Sequence, residues 1–247
     1  MSQQFYSSIS NYYQYIFPFN PEQVNFLRGV IPFNGAKILD AGCATGELAF
    51  ALTSFGFPVW GIDSDAEMVE KAKKLKPEDS LFPVFEQLDM RKLTERFPES
   101  FFDTILCFGN TLVHLQTETE VFSFLQDANK ILTTDGKLSI QILNYQHIID
   151  HQVKTLPIIE NEYIRFERSY NFQNDSELID FNTRLIIKAT DQEITNSVQL
   201  FALRKDKLKE LIQNAGFEIL TLCGNFNGLP FTETSLPLIV TCRKNEE

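Results

Sequence analysis

Asp40 stands inside the run Ile38-Leu39-Asp40-Ala41-Gly42-Cys43-Ala44-Thr45-Gly46-Glu47-Leu48-Ala49, where an apolar segment passes into a loop of small residues and the loop opens a helical pattern. A second apolar stretch, Val59-Trp60-Gly61-Ile62, delivers another carboxylate, Asp63. Strand, small-residue loop, helix, strand and acid is the layout of a βαβ nucleotide site, in which an acid about 20 residues past the loop meets a ribose. Asp40 precedes the first glycine, close to where a dinucleotide's pyrophosphate would lie. A carboxylate there repels phosphate and attracts a cation. The two acids therefore suit a ligand that carries both a ribose and an ammonium. The dinucleotide fingerprint would place its three glycines at Gly42, Ala44 and Glu47, and only the first agrees. A tight strand-to-helix turn that binds nothing is the alternative.

Further along, Asp89-Met90 follows a third apolar stretch. Asp89 can accept a hydrogen bond from a ligand amine, or cap a helical turn from Arg91 onward. Met68 can lie against a flat ligand ring or pack in the core with its helix. In Cys107-Phe108-Gly109-Asn110-Thr111-Leu112-Val113-His114-Leu115, the Asn110 amide both donates and accepts, so it can orient a ligand or brace its own loop. His114 can serve as a base near neutral pH, or as a hydrogen-bonded structural residue. Arg165, Arg168 and Arg184 can clamp a carboxylate or pair with surface acids.

These motifs resemble the class I S-adenosylmethionine (SAM)-dependent methyltransferases, and the resemblance covers most of the chain. It implies that Asp40 and the glycine-rich loop hold the methionine part of SAM, that Asp63 holds the ribose hydroxyls, and that Asp89 accepts from the adenine amino group. The cofactor-binding set it implies is Asp40, Ala41, Gly42, Cys43, Gly46, Asp63, Ser64, Met68, Asp89, Met90 and Cys107. A family glycine often stands where this chain has Ala44. The run from Cys107 to Leu115, and Leu143-Asn144-Tyr145, resemble the glycine/sarcosine N-methyltransferase-like branch. That branch's carboxylate-binding arginine has no match by motif. Tyr12-Tyr13 resembles the N-terminal arm that small-molecule members use as a lid. Candidate catalytic residues are His114, Asn110 and Tyr13.

The implied activity is transfer of a methyl group from SAM to a small-molecule acceptor, at nitrogen or oxygen foremost, leaving S-adenosylhomocysteine (SAH). The sulfonium is already a good leaving group. The protein must supply alignment, a dry pocket and a deprotonated acceptor rather than a metal or covalent nucleophile. An Asn/Asp-Pro-Pro-aromatic loop, typical of enzymes that methylate base amino groups, is absent after the fourth strand. Two other readings stay open: a SAM-binding scaffold without turnover, and an NAD-linked oxidoreductase.

Apolar runs alternate with helical stripes from residue 37 to residue 143, which predicts a Rossmann-like, doubly wound α/β sheet, mostly parallel. Strands are expected at 37–41, 59–62, 81–88, 102–108 and 137–143, with Asp135-Gly136 a turn. Asp40, Asp63, Asp89 and Asn110 all fall at strand ends, where such sheets bind ligands. Past residue 144 three strand patterns follow without a helix, so an antiparallel β-layer over 145–204 is expected on the substrate side. The helix 205–215 and two closing strands complete seven strands, the last antiparallel. Residues 1–30 form an aromatic arm and helix, and 31–247 the methyltransferase domain.

The 247 residues carry a net charge of −11, a poor footing for gripping a phosphate backbone, so nucleic acid is disfavoured as substrate. The four cysteines form no C-x-x-C pair and point to reduced thiols in the cytoplasm. The N-terminus lacks a secretory pattern, and no apolar run is long enough to span a bilayer. A homo-oligomer stays open.

Overall fold

The computed structural model describes residues 2–173 and 176–245. An N-terminal arm holds α1 (Ser2–Ile9), α2 (Tyr13–Ile16) and α3 (Pro21–Leu27). Asn20 caps α3 by accepting from the Glu22 N–H, and Pro21 sits in the first turn, where its missing N–H costs nothing. The alternation follows as β1 (Ile38–Ala41), α4 (Glu47–Ser54), β2 (Val59–Asp63), α5 (Ala66–Leu75), β3 (Val84–Gln87), α6 (Leu93–Arg96), β4 (Phe102–Cys107), α7 (Glu118–Ile131) and β5 (Leu132–Leu143). Beyond β5 come α8 (Tyr145–Asp150), β6 (Ile159–Glu160), β7 (Ile164–Phe172), β8 (Leu178–Ile187) and β9 (Gln192–Phe201). The chain closes with α9 (Lys205–Asn214), β10 (Phe217–Cys223) and β11 (Pro237–Lys244).

Seven strands form one sheet in the order β10-β11-β5-β4-β1-β2-β3. β1 pairs in parallel with β2 and β4, and β11 enters antiparallel between β5 and β10. The second sheet is antiparallel, in the order β6-β7-β8-β9. This is the doubly wound α/β architecture with an added β-layer that the sequence implied. β1 is buried along its whole length, as expected for a central parallel strand covered on both faces. The larger apolar cluster includes Phe102, Phe124, Tyr145 and Phe166, so it joins the main sheet to the β-layer. A smaller one gathers Leu27, Leu52, Val69 and Phe85 around α3, α4 and α5. Each large apolar side chain buried in them contributes about 1.5–3 kcal/mol. Among the described residues, no helix is long and apolar enough to cross a membrane.

Several elements depart from expectation, beginning with α8 and β6, a helix and a fourth strand in the stretch where three strands without a helix are expected. β3 begins at Val84 rather than at residue 81, because Pro83 has no N–H for the ladder and Leu81 is left exposed. The turn expected at Asp135-Gly136 lies inside β5. Its pairing with β4 jumps from Phe102↔Leu132 to Thr104↔Lys137, so the extra residues bulge out of a continuing strand.

Candidate active site

The loop after β1 turns by left-handed backbone at Gly42 (φ +83°), Ala44 (φ +48°) and Gly46 (φ +87°). Two of these positions need glycine for space as well as conformation. A Cβ on Gly42 would come within 2.4 Å of Thr111 Cγ2, and one on Gly46 within 2.5 Å of the Phe85 ring. Ala44 accepts the strained conformation at a cost of about 1–2 kcal/mol, which explains why a glycine suits that position in the family the sequence resembles. The Gly42 and Cys43 N–H groups donate to the Ile62 carbonyl at 2.8 and 2.9 Å, tying the loop to β2.

Asp63, at the end of β2, is fixed from two sides. Its Oδ2 accepts from the Ala44 N–H and its Oδ1 from the Asp65 N–H, each at 2.9 Å. Burial raises its pKa, and these two backbone bonds offset part of the rise. Asp40 is 4% exposed. Burial first, then the neighbouring charges of Asp63 and Glu47, push its pKa up to about 7. A buried carboxylate beside two others lacks only a cation.

Asp65 caps α5, its Oδ1 accepting from the Glu67 and Met68 N–H groups, as its place before the helical stripe implied. Its Oδ2 accepts from Ser7 Oγ of the arm at 2.8 Å. The arm is also held by Tyr6, whose hydroxyl meets His114 Nε2 at 2.9 Å, and by Ser8, which accepts from Asn196 of β9 at 2.8 Å. Together these elements enclose a cavity of about 810 Å³ between the loop end of the sheet, the arm and the β-layer.

Eight of the singled-out residues border this cavity: Tyr13, Gly42, Asp63, Ser64, Met68, Asp89, Met90 and His114. Asp40, Ala41, Cys43, Gly46, Cys107 and Asn110 are not among the described residues that border it. Ala41 and Cys107 are fully buried, and burial raises the Cys107 thiol pKa. Of the two roles open to Asn110, the structure displays bracing. Its Oδ1 accepts from the Leu143 N–H, and its Nδ2 donates to the Tyr145 hydroxyl, each at 2.9 Å. Asp89 caps the turn at Met90–Lys92 through the Arg91 N–H, and its carboxylate also receives the Arg91 guanidinium. That hydrogen bonding lowers the Asp89 pKa. Arg91 also reaches Glu120 at 2.7 Å, so this guanidinium at the border of the cavity is neutralised twice.

His114 is held neutral, burial pulling its pKa down to about 4, and its Nδ1 is buried without a partner. Burial raises the Tyr13 and Tyr6 hydroxyls well above the usual phenol range. Sequence reasoning missed Tyr6, Thr111, Glu120 and Val198, which also border the cavity. Tyr6 is one of several aromatic residues of the arm, and the sequence does not rank it above the others. Nothing in the local pattern of Val198 separates it from any other strand residue.

Residues 38–136 match the model of a methyltransferase domain. The chain is 27% identical over 203 residues to a glycine/sarcosine N-methyltransferase of Aphanothece halophytica, covering 81% of this chain and 73% of the relative. A glycine/sarcosine N-methyltransferase of Halorhodospira halochloris is 26% identical over 206 residues, covering 81% and 72%. Among solved structures, a SAM-dependent methyltransferase from Clostridium acetobutylicum shares the fold over 98% of this chain and 99% of its own, with a TM-score of 0.79 at 13% identity. Together these likenesses support a class I SAM-dependent methyltransferase with SAM as cofactor.

Proposed function

We propose that this methyltransferase moves the methyl group of SAM to a small-molecule acceptor, at nitrogen or oxygen, within the cavity framed by the sheet end, the arm and the β-layer. The carrying observation is the pair of acids. Asp63, at the border of the cavity, is locked by two N–H donors, and Asp40 is a buried carboxylate with a raised pKa. A ribose diol satisfies the first and an ammonium the second. SAM supplies a sulfonium methyl open to in-line attack.

The chain's residues do the rest. Asp40, with the backbone of Ala41, Gly42, Cys43 and Gly46, would hold the amino-acid end. Asp63 and Ser64 would hold the sugar. Met68, Asp89 and Met90 would form the adenine end, with Cys107, fully buried near Asp40, supporting the opposite side of the loop from behind. Asp89 keeps acceptor capacity there beside Arg91, because a carboxylate offers about four lone-pair sites. Asn110 sets the shape of the loop after β4, and Tyr6, Tyr13 and His114 shield the transfer from water. His114, neutral at pH 7, presents a lone pair or an N–H without adding charge. In this reading residues 1–30 act as a lid, and 145–204 as the substrate-side layer.

Calorimetry with SAM and with SAH tests the assignment. Asp63→Ala should weaken both by ten-fold or more, since charge-assisted hydrogen bonds are worth about 1.5–3 kcal/mol each. Unchanged affinity would remove the ribose role.

A further inference from the structure

The three arginines of the β-layer divide sharply. Arg165 pairs with Glu160 and Glu167, and Arg184 with Glu167 and Glu193, all at the surface. Arg168 alternates to the other face of β7, the face that buries Ile164, Phe166 and Tyr170. Across the sheet it stands opposite Thr183, and Thr183 opposite Asn196.

Of the five N–H donors of Arg168, one meets the Pro157 carbonyl, at 2.7 Å. Its Nε–H is buried without an acceptor, and so is the hydroxyl of Thr183, a residue only 4% exposed. Among the described residues no carboxylate pairs with Arg168, and burial lowers its pKa. Native folds rarely leave such groups unmet. Here a guanidinium Nε–H and a hydroxyl are left unmet on cross-strand neighbours. Both residues border a cleft of about 730 Å³, and Ser197 borders this cleft and the cofactor cavity alike. Tyr170, next on the same face, packs edge-on against Tyr145, whose hydroxyl receives Asn110 of the cofactor-side loop.

We propose that Arg168 and Thr183 form an oxyanion subsite that receives a carboxylate or phosphate of the methyl acceptor. The proposal rests on the small-molecule reading above. A guanidinium fork fits either group through paired N–H donors, and the threonine hydroxyl adds another. The acceptor is thus anchored from the β-layer by its anionic group, while its accepting atom faces the cofactor cavity.

The test uses full-length protein saturated with SAH, titrated calorimetrically with sodium acetate and, separately, with inorganic phosphate at constant ionic strength. Saturable binding of at least one anion is expected, and the tighter of the two identifies the group. Arg168→Gln should weaken it ten-fold or more, and Thr183→Val several-fold. Arg168→Lys, which keeps the charge but not the fork, should fall between wild type and Arg168→Gln. SAH affinity should stay the same in every variant. No saturable binding of either anion, or unchanged anion affinity in Thr183→Val and in whichever Arg168 variant folds, overturns the subsite. Failure of the wild-type protein to bind SAH would instead overturn the donor site, a separate result.

Discussion

If Asp40 receives the ammonium of the cofactor, binding must depend on its ionisation. In the free protein its pKa is pushed up to about 7 by burial and by Asp63 and Glu47. The ammonium favours the charged carboxylate, so in the complex its pKa falls back toward the ordinary value. The complex therefore holds fewer protons than the free protein, and affinity must rise with pH until Asp40 is ionised in both states. About nine-tenths of free molecules are ionised at pH 8 and about one-tenth at pH 6, so SAH affinity should drop about ten-fold between them. Near pH 7 binding should release about half a proton, read as a dependence of calorimetric enthalpy on the buffer's ionisation enthalpy. Asp40→Asn should bind more weakly at pH 8 and show a nearly flat profile. Asp63, whose pKa is also raised, would account for any small residual slope. An affinity that is level from pH 6 to 8 in the wild type, or a slope that survives intact in Asp40→Asn, refutes the ammonium contact.

The same carboxylate should make the ligand-free fold weaker as pH rises. A folded pKa above the unfolded 3.8 means that ionising Asp40 costs stability, nothing below pH 3.8 and growing to about 4 kcal/mol above pH 7. Asp40→Asn should therefore melt higher than wild type at pH 8 without SAM, with little difference at pH 4; equal melting at pH 8 would show that Asp40 is better solvated than its burial implies. Gly46→Ala should lower stability by about 1–3 kcal/mol in thermal or urea unfolding, because its Cβ would press to 2.5 Å on the Phe85 ring. A neutral effect there would mean that Phe85 can yield.

Much of the site was written in local pattern. Apolar runs of strand length, the small residues from Ala41 to Gly46 and the cap at Asp65 act over a few residues. Their conformational preferences are therefore readable without tertiary knowledge, and they place Asp40 and Asp63 at neighbouring strand ends. The mostly parallel, doubly wound character of the sheet followed from the alternation of β and α, whereas the order of its strands came only with the structure. The bulge in β5 did not, because Asp135-Gly136 looks the same in a bulge as in a turn, and only pairing with β4 distinguishes them.

The chemical state of each group was decided elsewhere. His114 meets Tyr6 of the arm, Asp89 shares Arg91 with Glu120 of α7, and Asn110 is braced by β5 and Tyr145. Each partner is remote in sequence or held by a different element. Three arginines of like promise in the β-layer became two that pair with surface acids and one half-buried guanidinium with no carboxylate partner among the described residues, through strand register. The sequence by itself determined which acids stand at the ends of the first strands, since helix and strand periods are local, while the residues that the arm and the β-layer bring to the cavity came only with the tertiary structure. Which of them are charged, paired or unsatisfied there was decided by tertiary packing, because solvent exclusion and proximity across the chain set the cost of a charge.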